Sequence, residues 1–214
     1  MTQPTRPPHI AFLPGASGRG EFWEPVAALL PDAERHFFDW PGFGDVPLHP
    51  HRQLACFDDL ATMVIERLTE PTVLVGQSMG GVVAAMVVQR RPDLVSHLVL
   101  AVTSAGIDVE SLGAVDWRPT SRLANPHNPP WMWDERPDTT KTLAELPVPA
   151  LLVWATDDEI SPLAVGRYLD HLIPNSRLVV IADDDHWVAR IHADQVAGEI
   201  RRFIGQGHGR GLAA

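Results

Sequence analysis

The chain has 214 residues, 45% of them hydrophobic, which suits one well-buried domain and is short for two, since domains commonly run to about 100–200 residues. Its 17 basic against 27 acidic residues give a formal charge of -10, which argues against nucleic acid or an anionic membrane surface as the main partner and favours a neutral small molecule. Cys56 is the only cysteine, no apolar run approaches the roughly 20 residues that span a bilayer, and the opening MTQPTRPPH places prolines where a leader peptide has its apolar core. Together these features exclude an intramolecular disulfide and predict a soluble, cytoplasmic protein of unknown oligomeric state.

In chain order, six short aliphatic and aromatic runs read as strands: HIAFL near Ile10, RHFFDW near Phe37, TVLVG near Val75, HLVLAV near Val99, ALLVWA near Val153 and RLVVIA near Val179. Most are continuous instead of alternating, as in strands buried on both faces. Helical spacing lies between them. Leu60, Val64 and Leu68 recur at four-residue steps, and Val196, Ile200 and Phe203 repeat a similar stripe near the end. Ser161 followed by Pro162 reads as an N-cap and first helical position, with Pro174 marking where that helix stops. Alternation of strand and helix implies an α/β fold, a mostly or wholly parallel six-stranded sheet with helices on both faces. Cys56, among apolar residues on a helix, reads as a small buried thiol.

Two stretches depart from this rhythm. From about residue 106 to 146 there is no clear strand, while Trp117, Trp131 and Trp133 occur among five prolines. An interval of this length inside a compact domain is often a lid or binding loop, and three tryptophans need apolar surface to cover. The ending GQGHGRGLAA, residues 205–214, has too little apolar content to pack and is expected to be a flexible tail.

The sequence VLVGQSMGGVVAAM, residues 73–86, passes from strand-like to helix-like aliphatics across Gly-Gln-Ser-Met-Gly-Gly. Gly76-Gln77-Ser78-Met79-Gly80 fits Gly-x-Ser-x-Gly directly after a strand and before a helix, where a sharp turn holds the serine hydroxyl above the sheet's carboxyl edge. Ser78 is therefore the candidate nucleophile. The near-uniformly apolar helix behind it points its N-terminal dipole at developing negative charge.

With LPGASG after the first run, DWPGFG after the second, GQSMGG after the third, DDEISP after the fifth and a histidine after the sixth, the chain resembles the α/β-hydrolase fold family, in particular its small serine-nucleophile, carboxylesterase-like members. The likeness spans nearly the whole chain, starting at what is usually the family's third strand. The resemblance implies a chain order of Ser, acid, His. His186 alone follows a strand directly, whereas His171 and His192 fall in helical stripes and His208 in the tail, so His186 is the expected general base. Asp157, Asp158 and Glu159 all follow the fifth strand. Alignment on Ile-Ser-Pro favours Asp158 as the acid, with Asp157 as the alternative.

The resemblance further implies oxyanion donors at the backbone N–H groups of Met79 and Ala16; no cofactor or metal is expected. Pro14 stands where many relatives have histidine, and Asp184 and Asp185 where many have glycine. Ser17, Trp23, Trp117, Trp131 and Trp133 are candidate substrate contacts, the last three from a cap over Ser78. Asp157 to Glu159 and Asp183 to Asp185 offer hard oxygen ligands but lack metal-loop spacing. The expected activity is hydrolysis of carboxylic esters of small or medium, largely apolar substrates through an acyl-enzyme on Ser78. Hydrolysis of thioester, amide or carbon–carbon bonds uses the same constellation, and a small-molecule receptor retaining the triad is the reading from a different class.

Overall fold

A computed structural model describes residues 6–206. Six strands, β1 (His9–Leu13), β2 (Glu34–Phe37), β3 (Thr72–Gln77), β4 (Val95–Ala101), β5 (Ala150–Ala155) and β6 (Ser176–Ile181), form one sheet. Its order is β2-β1-β3-β4-β5-β6 and every neighbouring pair is parallel. β3 and β5 are buried at every position and β1 and β4 at most. The expectation of two-sided burial fails only at β2 and β6, which lie at the sheet's edges and have one strand neighbour each.

Nine helices occur among the described residues: α1 (Glu24–Ala28), α2 (Phe57–Arg67), α3 (Met79–Arg90), α4 (Arg118–Ala124), α5 (Trp131–Asp134), α6 (Thr140–Ala144), α7 (Leu163–Leu172), α8 (Val188–Ile191) and α9 (Ala193–Gln206). α1, α8 and α9 pack together, and α2, α3, α6 and α7 form a second contiguous layer, as right-handed crossovers running in opposite directions across a sheet require. The direction reverses between β1 and β3. The chain leaves β1 toward β2 and leaves β3 toward β4, so the two exit loops part over opposite faces and open a crevice at the strands' carboxyl ends.

Three fully buried indoles secure that rim. Trp23 Nε1 donates to the Leu13 carbonyl at 3.0 Å, Trp40 Nε1 to the Pro14 carbonyl at 2.9 Å, and Trp154 Nε1 to the Ser161 carbonyl at 3.0 Å. Each satisfies an N–H that burial would otherwise orphan, and each fixes a carbonyl at the end of a strand or in the loop that follows it.

Some boundaries differ from the sequence reading. Ser161 does not cap α7; Pro162 holds that place, the helix begins at Leu163, and the Ser161 Oγ is buried without a hydrogen-bond partner. Residues 106–146 are not structureless but carry a 3-10 turn at Glu110–Leu112 and the helices α4, α5 and α6, all too short for strong periodicity. Gly205 and Gln206 complete α9 instead of starting a tail, and residues 207–214 lie outside the described part. Cys56 precedes α2 half-buried, its thiol donating to Asp59.

Gly166 in α7 faces Trp154 so closely that a Cβ there would sit 2.7 Å from the indole. Gly166→Val is expected to destabilise the fold by about 1–3 kcal/mol, read as a lower urea midpoint at unchanged m-value.

Candidate active site

Ser78 stands between β3 and α3 with φ 51° and ψ -121°, a region of backbone space that costs a non-glycine residue about 1–3 kcal/mol. Three hydrogen bonds hold it there. Its N–H donates to the Ala101 carbonyl at 3.0 Å, while its carbonyl accepts from Gly81 N at 3.0 Å and from Thr103 Oγ1 at 2.5 Å. The flanking glycines are required by contact: a Cβ at Gly76 would lie 2.5 Å from the Gly80 carbonyl, and one at Gly80 would lie 2.3 Å from that of Leu13. β3 and α3 thus touch through bare backbone, and the turn between them has no room to relax.

The loop after β1 reaches the same point. A Cβ on Gly15 would come within 3.3 Å of Ser78 Cβ, so Pro14-Gly15-Ala16 passes directly beside the serine. Met79, whose N–H opens α3, lines the cavity with Ser78. The backbone is ordered further by Asn128, buried in the insertion, whose side-chain amide donates to Ala16 O at 3.4 Å and accepts from Gly44 N at 2.7 Å.

Across the crevice, Asp158 and His186 are brought together. Asp158 is 2% exposed, and its Oδ2 lies 2.6 Å from His186 Nδ1. Its Oδ1 accepts from the N–H groups of Ile160 at 2.8 Å and Ser161 at 3.1 Å. Three contacts, two of them from backbone N–H groups, keep the buried carboxylate oriented. Asp157 is instead exposed and its carboxylate accepts from Thr156 Oγ1 at 2.7 Å; of the two acids, only Asp158 meets the imidazole. Gln77 Nε2 donates to the His186 carbonyl at 3.2 Å, tying the histidine's backbone to the strand that ends at the serine. Ser78 and His186 line one cavity of about 520 Å³.

The aspartate run that replaces glycine before the histidine has a backbone role. Asp183 Oδ1 accepts from Asp185 N at 2.9 Å, and Asp185 Oδ1 accepts from Trp187 N at 2.7 Å. The Asp183 carbonyl takes hydrogen bonds from Asp157 N and Thr156 Oγ1, and His192 Nε2 lies 2.5 Å from Asp183 Oδ2. The acid loop and the histidine loop are therefore stitched together. Thr103 and Asn128 were not singled out from sequence, Gln77 entered only as a motif position, and Asp183 was weighed only as a possible metal ligand; the advance signal for its role was the unusual density of carboxylates after β5 and β6.

The candidate substrate contacts separate. Trp117 lines the cavity, together with Phe57, Ile107 and Met132 and the guanidinium-bearing Arg118 and Arg136. Trp23 does not reach it: the side chain is fully buried beneath the rim, where its N–H finds Leu13. Trp133 is buried against Trp117. Trp131 packs edge-on to Phe43 and Phe57 and donates to the Leu54 carbonyl at 3.1 Å, which makes it a fastening of the insertion instead of a wall of the cavity. Ser17 is exposed, with its carbonyl against Gly44. The stacking and hydrogen-bond demands of indoles account for these three tryptophans without a ligand. Burial pushes the Cys56 thiol above its ordinary value, which is unfavourable for a competing thiolate nucleophile.

Two measurements follow from these contacts. Asp158→Asn is expected to lower kcat on a short-chain aryl ester by about 10⁴, since an amide cannot hold the imidazole in the required tautomer, whereas Asp157→Asn should stay within about twofold, as exposed substitutions generally do. Hydrogen bonding from the Asp185 N–H, reinforced by His192, holds the Asp183 carboxyl below the usual carboxylate range. Its stabilisation is therefore complete above the unfolded-state pKa of about 4 and disappears as pH falls through the lower folded-state value. Urea unfolding should show wild type ahead of Asp183→Asn at neutral pH, with the lead closing in acid.

Comparison with known proteins agrees with this architecture. Pimeloyl-(acyl-carrier protein) methyl ester esterase of Neisseria meningitidis serogroup B (strain H44/76) is 27% identical over 211 aligned residues, covering 78% of this chain and 80% of that protein. A 2-hydroxy-6-oxononadienedioate/2-hydroxy-6-oxononatrienedioate hydrolase of Paraburkholderia phymatum is 36% identical over 70 residues, 33% of this chain and 24% of that protein. A thermophilic esterase from Thermogutta terrifontis superposes with a TM-score of 0.74 at 22% identity, covering 94% of this chain and 90% of that one. The model of the alpha/beta hydrolase family matches residues 10–199, and the chain belongs to that family.

Proposed function

We propose that the protein hydrolyses carboxylic esters of small or medium, largely apolar substrates through an acyl-enzyme on Ser78. The observation that carries this reading is the 2.6 Å contact between His186 Nδ1 and the buried Asp158, made at the cavity that Ser78 also lines. His186 Nε2 takes the Ser78 proton as Oγ bonds to the ester carbonyl carbon. The resulting oxyanion is received by the N–H groups of Met79 and Ala16, each such donor being worth about 10²–10³ in rate. Collapse breaks the carbon–oxygen bond to the alcohol, which leaves with the proton held by His186. Water, deprotonated by the same imidazole, then releases the acid and restores the serine.

Residues 106–146 act as the cap. Their apolar contributions, Ile107, Trp117 and Met132, form the acyl pocket, while Asp158 stabilises the imidazolium. The methyl ester esterase activity named for the Neisseria relative supports an ester as the scissile group. The dienedioate hydrolase named for the Paraburkholderia relative is the reason to test carbon–carbon substrates alongside. Among the described residues no helix is long and apolar enough to cross a membrane, and this, with the acidic charge and single cysteine, supports a cytoplasmic site of action.

Purified protein should label at Ser78 with a fluorophosphonate and turn over short-chain aryl esters, and Ser78→Ala should lose both, with kcat down by about 10⁴ or more and an unchanged circular dichroism spectrum. Rapid labelling without turnover of any ester, thioester or amide would instead indicate a receptor. Activity surviving in Ser78→Ala would exclude the mechanism.

A further inference from the structure

A second cluster of chemistry-bearing side chains lies at the opposite end of the sheet. His9 opens β1, where it pairs with Glu34 of β2, and His36 follows two residues along β2 opposite Ala11. The two-residue pleat puts all three side chains on one face, and one ligand atom from each lies within 4.8 Å of the others. Glu70, in the turn before β3, brings Oε1 to 3.1 Å from His9 Nε2, and Glu34 Oε2 lies 3.5 Å from the same nitrogen. Arg6 holds the other Glu70 oxygen at 2.7 Å, which leaves Oε1 facing His9.

These separations do not make a hydrogen-bonded network around His9. The His9 side chain is 11% exposed, and its Nε2 is buried without a hydrogen-bond partner although two carboxylates flank it. Four ligands at the Zn–N and Zn–O lengths of about 2.0–2.1 Å lie about 3.4 Å apart at the corners of a tetrahedron. The 3.1 and 3.5 Å spacings match such an edge. Neutral imidazoles with carboxylates also match the ligand preference of zinc.

We propose that His9, Glu34 and His36, with Glu70 beside His9, form a binding site for a divalent ion of the zinc type. The ion would join the edge strand β2 to β1, far from Ser78 at the carboxyl rim, and would act on stability instead of chemistry. An ion that binds the folded chain alone raises its apparent stability by mass action.

The test is titration of the full chain, first stripped with a chelator, with Zn²⁺ in competition with a chromogenic chelator, followed by thermal melting at each loading. One saturable equivalent and a rising melting temperature are expected. His36→Ala and Glu34→Gln should each weaken binding at least about tenfold and remove the rise. Their circular dichroism should be unchanged, since Glu34 is exposed and His36 only half-buried. The exposed neighbours His49 and His51 are the rival ligands, and His49→Ala/His51→Ala should leave binding intact. Absence of a saturable equivalent, undiminished affinity in both cluster variants, or loss in the His49/His51 variant would overturn the proposal.

Discussion

The close approach of bare backbone at Gly80 to the Leu13 and Pro14 carbonyls is the constraint on which the rest of the molecule depends. It lets the start of α3 lie against the end of β1, and thereby sets the serine turn and the Gly15 loop side by side at the point where the sheet's connections reverse direction. The strain at Ser78 persists because hydrogen bonds from three different segments, the end of β4, Thr103 and the first turn of α3, define one conformation. A packed core around β3 and α3, buried at nearly every position, prevents that turn from relieving itself.

The other half of the crevice is built differently. Carboxylates organise it, and most of them do so by accepting backbone N–H groups: Asp158 from Ile160 and Ser161, Asp183 from Asp185, and Asp185 from Trp187. A loop made of glycines could turn as tightly but would have to be fixed by its surroundings. Here the charged side chains supply the fixing, and β6 can remain half-exposed without loosening the histidine that follows it.

Much of this was legible in the sequence because it rests on local pattern. Continuous aliphatic runs gave the six strands, and Gly-x-Ser-x-Gly between ALIPHATIC strand and helix located the turn. The edge strands β2 and β6 were found as strands but their exposure was not, since position in the sheet is a property of topology. Asp158 is favoured over Asp157 by the alignment on Ile-Ser-Pro and not by composition, which does not encode which of two adjacent carboxylates just past β5 turns inward. Tryptophans were the least readable. Trp23, Trp40 and Trp154 hold rim carbonyls and Trp131 fastens the insertion, whereas only Trp117 of the five candidate contacts faces the cavity; an indole's partner is distant in sequence in each case except Trp154, seven residues from its own.

The Asn128 amide spans the insertion, the Gly44 turn and the Ala16 carbonyl, so the insertion is mechanically joined to the peptide beside Ser78. Any rebuilding of the insertion is therefore felt at the Ser78 turn, and a replacement segment fits only if it carries an equivalent bridging amide.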